Sequence, residues 1–541
     1  MKLAHALLAA LRDYGAREIF GIPGDFALPL FREIERSNIL PLLTLSHEPA
    51  VGFAADAAAR YRSSLSVAAV TYGAGGLNLV NAAAQAYAEK SPVVIVSGAP
   101  GASEGKLGLG LHHQVKHLGT QHLVFTEVTC AQAVLDDRDT APHEIARVLT
   151  AARELSRPVY IEFPRDMVEA DVEPVPAFAE TPYDRDAARA AAAEILSKLE
   201  AARAPALLLC VEVRRYGLEA KVTELARRLA IPAATTFMAR GILAGAEAPL
   251  IGTYLGLAGD PAVRETVEGS DALLMLGVVL CDMNFGVSEQ LIDRRKSMHA
   301  VDRTVRMQHH LYPDVPLPAL VDALLERARP LGRAKPKSVA YPIGLERDGN
   351  VIRPEDVARA VNDLFAAKGP MPIASDVGDC LFTAMDIVYT ELVAPAYYAT
   401  MGPGVPMGFG LQAASGRRPL VLVGDGAFQM TGWELGNARR LGMNPIVLLF
   451  NNTAWGMLKV FQPETRYNDL TDWRFAELAV ALGGTGRRVV TRRELGEALA
   501  AAHGDETTWH LIEIMLPRGE YSATLRRFAD AVKKRSVLGT G

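Results

Sequence analysis

The segment from Pro419 to Asn452 sets the fold: PLVLVGDG (419–426), then TGWELGNARRLG (431–442), then PIVLLFNN (445–452). Both flanking runs are short, continuous and built of Val, Ile and Leu, as strands are when helices cover both faces. The middle run has helical composition, so the three read as a βαβ unit whose right-handed crossover returns a parallel strand beside the first. Asp425 and Asn452 then stand at one sheet edge, at the carboxyl ends of strands, where open α/β sheets bind ligands. Adjacent strand tips are about 5 Å apart, so a carboxylate and an amide oxygen can share one hard cation. Mg²⁺ suits such a pair, because its remaining positions are filled by water and phosphate oxygens. Gly424 and Gly426 let backbone amides approach a diphosphate, and the following helix offers its N-terminus.

The same rhythm extends outward in both directions. EIFGIP, LPLLTLS, SVAAVTY, PVVIVSG, PVYIEFP, APALLLC, IPAATTF, DALLMLG, PIASDV and WHLIEIML alternate with Ala-rich helical stretches, which predicts an α/β fold with parallel sheets. Proline and mixed charge cluster at 166–186 and 328–352, read as linkers. They predict three α/β domains, residues 1–170, 187–328 and 350–541, a count that suits the length.

With 541 residues, 49% apolar and 22% charged, the chain can bury several full cores. Its net charge of −5 is spread without like-sign blocks, which argues against nucleic acid or an anionic membrane as partner and for a small molecule. Cys130, Cys210, Cys281 and Cys380 lie far apart with no CxxC spacing, so reduced thiols and a cytoplasmic location are expected. Leu3, Leu7, Leu8 and Leu11 read as the buried stripe of a first helix rather than a signal peptide. The uncharged runs 63–88 and 392–416 contain amides, prolines and glycines unsuited to a membrane helix. GxxxxGK[ST] is absent, and GAGG at 73–76 lacks the third spaced glycine of a dinucleotide fold.

GDG followed by 24 residues and NN resembles the signature of thiamine diphosphate enzymes. The resemblance covers nearly the whole chain in the order pyrimidine-binding, middle and diphosphate-binding domain. It implies that Asp425, the Asn452 side chain and the Ala454 carbonyl hold Mg²⁺, and that Gly424, Gly426, Ala427, Asp379, Ala399, Met401 and Met457 line the cofactor. Ala454 replaces the family's frequent Gly, a mild change where only a main-chain oxygen is needed. An acid from the first domain must meet the aminopyrimidine ring, and Glu48, in LPLLTLSHEP, is the candidate. A carboxyl group in an apolar setting can share its proton with a ring nitrogen.

HEPAVGFAADAAAR, CVEVRRYGLEAKV and GDGAFQMTGWELGN resemble the 2-keto acid decarboxylases of the phenylpyruvate or indolepyruvate type. In that branch Asp25, His112 and His113 handle protons, a role that suits imidazoles held by a carboxylate; His309 and His310 gain no role. Leu458 stands where pyruvate decarboxylases carry a Glu, and Asp282 is the expected replacement acid. Leu381 stands where pyruvate-selective relatives place Trp, leaving room for a bulky substrate lined by Thr71, Leu381, Met457, Leu458 and Phe461. The expected reaction is non-oxidative decarboxylation of phenylpyruvate or indole-3-pyruvate, in a homodimer or homotetramer with active sites between subunits. The alternatives are a carboligase resembling acetolactate synthase, a decarboxylase for branched aliphatic keto acids, and a non-catalytic cofactor-binding regulator.

Overall fold

A computed structural model describes residues 1–106, 108–244, 246, 248–286, 292–331 and 339–538; part of the expected second linker, 332–338, lies outside them. The chain forms two compact units. One comprises Met1–Thr181 with Pro406–Gly416 and Arg440–Gly442, the other Pro182–Val405 with Arg417–Arg439 and Met443–Gly541.

The first unit is built on a six-stranded, wholly parallel sheet of β1 (Ile19–Gly21), β2 (Leu42–Thr44), β3 (Ser66–Val70), β4 (Val93–Ala99), β5 (Ala131–Val134) and β6 (Val159–Pro164) in the order β2-β1-β3-β4-β6-β5. Strands β3, β4 and β6 are buried along their whole length, which is why their sequences run apolar without alternation. The first helix, Leu3–Asp13, buries Leu3, Leu7, Leu8 and Leu11 as its stripe predicts. Helix Glu48–Arg62 is almost entirely buried, and beneath it Arg60 bridges Asp56 and Glu89 while Gln85 donates to Asp56. Those partners satisfy charges that would be expensive to bury alone. Gly410 packs against the same helix so closely that a Cβ there would fall 2.0 Å from the Ala54 carbonyl oxygen, so only glycine fits.

The second unit holds two sheets. The middle sheet has seven strands: β7 (Pro205–Leu209), β8 (Ala233–Thr236), β9 (Leu250–Tyr254), β10 (Ala272–Leu276), β11 (Ser297–Val301), β12 (Thr304–Met307) and β13 (His310–Tyr312). It departs from the all-parallel expectation, because β12 returns antiparallel beside β11 and β13 antiparallel beside β12. The third sheet, wholly parallel, comprises β14 (Ile373–Ser375), β15 (Leu392–Val393), β16 (Leu420–Gly424), β17 (Ile446–Asn451), β18 (Thr485–Val489) and β19 (His510–Met515) in the order β15-β14-β16-β17-β19-β18. The direction of winding reverses between β14 and β16, which opens a crevice at their carboxyl ends. Among the described residues no helix is long and apolar enough to cross a membrane.

Candidate active site

The crevice of the third sheet collects the diphosphate-end residues. β16 pairs with β17 in the register Gly424↔Phe450, so Asp425 and Asn452 leave neighbouring strand ends as the sequence predicts. Asp425 opens helix Asp425–Thr431, with Gly424 as its N-cap and Ala427 buried within it. The Asp425 carboxylate accepts the Gly426 N–H at 2.9 Å and the Ala454 N–H at 3.3 Å; Asn452 Oδ1 accepts the same Ala454 N–H at 3.1 Å. Burial pushes the Asp425 carboxyl up to about 7 against the pull of these amides. A buried acid under that pressure gains most from a cation. The Asp425 carboxylate and the Asn452 carboxamide oxygen meet at the Ala454 N–H, while the Ala454 carbonyl accepts the Gly456 N–H at 2.8 Å; a carboxylate with amide oxygens is the hard donor chemistry Mg²⁺ takes, so these residue types fit the metal. The first of the paired asparagines is engaged elsewhere, for Asn451 is buried and donates to Glu513 at 2.7 Å.

Close packing explains two glycines here. A Cβ on Gly426 would lie 2.4 Å from the Trp455 ring, and one on Gly456 2.5 Å from Asn452 Nδ2. Sequence reasoning missed Asp376, which follows β14 fully buried and accepts N–H groups from Val377 at 2.9 Å, Gly402 at 3.0 Å and Gly404 at 2.7 Å. It thereby fixes the loop that carries Ala399, in a left-handed conformation at φ +55°, and Met401. Burial holds the Asp376 carboxyl up at about 7. Asp379 is bonded through both oxygens to the Ser522 N–H, at 3.2 and 3.0 Å, and burial raises its carboxyl to about 6.

Leu381 and Phe382 are buried in an apolar cluster with Phe237, Leu525 and Phe528, against which Met283, Met457, Phe461 and Tyr521 pack. The structure therefore gathers Leu381, Met457 and Phe461 as expected. Leu458, on the short helix Gly456–Lys459, is 55% exposed and stands outside this cluster. Asp282 opens helix Asp282–Phe285, is exposed and caps the Met283 N–H at 2.8 Å, so it sits one residue from the cluster.

In the first unit Glu48 is the first residue of helix Glu48–Arg62, and its Oε2 accepts from Asn78 Nδ2 at 2.7 Å. Asn78, which no motif marks, thus orients the acid. Glu48 Oε1 lies 3.4 Å from where a Cβ on Gly75 would stand, and Thr71 flanks the same position. The Thr71 hydroxyl is buried and has no hydrogen-bond partner. A Cβ at Gly24 would come within 2.5 Å of Thr71, so the glycine before Asp25 is required.

Asp25, His112 and His113 come together as expected. Asp25 Oδ2 is hydrogen-bonded to His112 Nε2, and Oδ1 lies 4.0 Å from His113 Nδ1, which also bonds the Tyr72 carbonyl at 3.1 Å. Phe26 stacks on His112 with ring centroids 4.7 Å apart. Burial pulls the Asp25 carboxyl upward, but the His112 bond, the Phe26 N–H and both imidazoles outweigh it and leave it lowered. Among the described residues this is the group whose ligand-type atoms converge within 4.8 Å. A hydrogen-bonded carboxylate and imidazole can hold and pass a proton. Behind it Gln121, also missed from sequence, accepts the Gly73 N–H at 2.6 Å and donates to Ser97 at 2.9 Å and Tyr160 at 2.6 Å. Of the histidines left without a role, His310 pairs with Glu194 at 2.9 Å.

Known proteins resemble this chain along most of its length. Residues 1–123 match the N-terminal TPP binding domain of thiamine pyrophosphate enzymes, 192–327 their central domain and 376–514 their C-terminal TPP binding domain. Indole-3-pyruvate decarboxylase of Azospirillum brasilense is 60% identical over 538 residues, 99% of each chain. Alpha-keto-acid decarboxylase of Mycobacterium avium is 30% identical, covering 95% of this chain and 93% of its own, and that of Mycobacterium bovis is 29% identical over 97% and 96%. The chain belongs to the thiamine pyrophosphate enzyme family. Its cofactor is thiamine diphosphate, for which Mg²⁺ is the family's usual companion, and it is a 2-keto acid decarboxylase.

Proposed function

We propose that the chain decarboxylates an aryl pyruvate, indole-3-pyruvate or phenylpyruvate, to the aldehyde and CO₂. The observation that carries the substrate class is the apolar wall of Leu381, Phe382, Met457 and Phe461, with Leu where a Trp would fill the space. Such a wall gains free energy from a flat aromatic side chain at about 25 cal/mol for each Å² removed from water, and offers a methyl group far less area. The indole-3-pyruvate substrate named for the 60% identical relative supports the same class.

Bound thiamine diphosphate supplies the carbon nucleophile and the electron sink that CO₂ loss requires. Asp425, the Asn452 carboxamide and the Ala454 carbonyl would hold its diphosphate through Mg²⁺, and Glu48 would share a proton with its aminopyrimidine. Asp379, Ala399, Met401, Gly424, Gly426 and Ala427 would shape its cradle. His112, tied to Asp25, and His113 would deliver the proton that replaces CO₂, and Thr71 would hydrogen-bond the substrate. Asp282 stands beside Met283 of the apolar cluster as the second acid. The matched spans 1–123, 192–327 and 376–514 support domain limits at 1–170, 187–328 and 350–541. A homodimer or homotetramer with sites shared between subunits is expected, in the cytoplasm, where free Cys130, Cys210, Cys281 and Cys380 stay reduced.

The test is CO₂ release across a panel of indole-3-pyruvate, phenylpyruvate, 4-methyl-2-oxopentanoate and pyruvate. The arylpyruvates should exceed pyruvate at least tenfold in kcat/KM; pyruvate ahead of both would overturn the substrate class. Mainly ketol product in the presence of an acceptor aldehyde would favour a carboligase.

A further inference from the structure

Two of the three residues read as metal ligands, Asn452 and Ala454, are separated by a single residue, Thr453, whose φ is +51°. A β-branched residue seldom adopts this left-handed backbone, and it persists only where its surroundings over-determine it. The Thr453 N–H donates to Asn451 Oδ1 at 3.1 Å, its hydroxyl donates to the Asn452 carbonyl at 2.8 Å, and its own carbonyl accepts the Leu470 N–H at 2.8 Å. Arg518, from the segment after β19, reaches the same residue twice. Its Nε donates to Thr453 Oγ1 at 2.8 Å and its Nη2 to the Thr453 carbonyl at 3.2 Å. The guanidinium is in turn held 3.7 Å from Asp469, which also pairs with Lys459 and lies opposite Ala454 in an isolated antiparallel bridge.

We infer that Arg518 is a positioning residue for the metal centre: it locks Thr453 in the left-handed backbone so that the Asn452 carboxamide and the Ala454 carbonyl are presented to the cation together. The inference rests on reading Asp425, Asn452 and Ala454 as the metal set. A planar fork is needed, because one guanidinium satisfies the hydroxyl and the carbonyl of Thr453 at fixed spacing, whereas an ammonium is a single point donor.

The test is calorimetric titration of thiamine diphosphate into the cofactor-stripped full chain at a series of Mg²⁺ concentrations. Arg518→Met should raise the Mg²⁺ needed for half-maximal uptake at least tenfold, about 1.4 kcal/mol. With Mg²⁺ and cofactor saturating, kcat should stay within twofold of the parent and the KM for keto acid should not change, whereas a merely structural arginine would lower the thermal midpoint and leave the Mg²⁺ requirement alone. Arg518→Lys should fall between the two. Thr453→Asn tolerates the left-handed backbone, so the Arg518→Met penalty should be smaller in that background. A folded Arg518→Met protein with the parent's Mg²⁺ requirement overturns the inference. Should Arg518→Met not fold, Asp469→Asn decides it: a raised requirement supports the latch and an unchanged one overturns it. A parent chain whose uptake ignores Mg²⁺ overturns the metal reading first, and the latch with it.

Discussion

Glu48 and Asp425 each open a helix, yet their surroundings prepare them for different partners. Asp425 is buried with only amide N–H donors around its oxygens, whereas Glu48 is half-buried, steered by the Asn78 carboxamide and flanked by Gly75 and the orphaned Thr71 hydroxyl. Glu48→Gln keeps the shape and the Asn78 contact but cannot exchange a proton. Turnover should drop by about 10²- to 10⁴-fold, the span of general acid–base catalysis, while cofactor uptake persists. Steady-state CO₂ release read beside calorimetry checks both halves. Asp282→Asn should cut turnover at least tenfold, and full activity in that variant would remove Asp282 from the site. Leu381→Trp should shift kcat/KM from arylpyruvates toward pyruvate by tenfold or more; an unchanged preference would show that this wall does not meet the substrate. Asp425 and Asn452 were legible as neighbours because GDG and NN stand at strand ends, and Asp25 and the His pair because a family pattern names them. Asn78, Gln121, Asp376 and Arg518 were not, since each acts through one to three hydrogen bonds to backbone or to another side chain, and such contacts leave no spacing in the sequence.

At the scale of elements, Asp376 shows how a loop is held by one buried carboxylate. Burial keeps its pKa at about 7, above an unfolded value near 4, so the folded chain retains a proton there that the unfolded chain has lost. The resulting stability is full below the unfolded value and is lost as pH rises through about 7, with a limiting slope of about 1.4 kcal/mol per pH unit between the two. Asp376→Asn removes that titration. The thermal midpoint of the parent should therefore exceed that of the variant most at pH 5, and the gap should narrow or reverse by pH 8; a gap constant with pH would contradict the assignment. The interior strands were readable because residues such as those of β16 and β17 are buried on both faces and run continuously apolar. Of the strands that escaped, β5, β9, β13, β15 and β18 lie at sheet edges, where sequences such as TGRRV in β18 or HLY in β13 face water and lose the apolar signal, while β11 and β12 lie inside the middle sheet. The antiparallel return at β12 was invisible because Arg306 breaks its TVRM run on the exposed side.

For the whole molecule, the first and third sheets share one strand order, so each has its winding reversal at the same place, between its first and third strands. The first sheet puts Asp25 and Thr71 after those strands, and the third puts Asp376 and Asp425 there. One topology thus carries the groups we propose to handle protons in one unit and, in the other, Asp425, which we propose as a metal ligand. Because the two sets do different work, they should fail separately. Cofactor-stripped full-length chain, titrated with thiamine diphosphate with and without Mg²⁺, measures this directly when run on the parent, Asp425→Asn and Glu48→Gln with CO₂ release read on the same samples. The account predicts Mg²⁺-dependent uptake in the parent, its loss in Asp425→Asn, and uptake without CO₂ release in Glu48→Gln. Uptake indifferent to Mg²⁺ or to Asp425, or undiminished CO₂ release from Glu48→Gln, would contradict it.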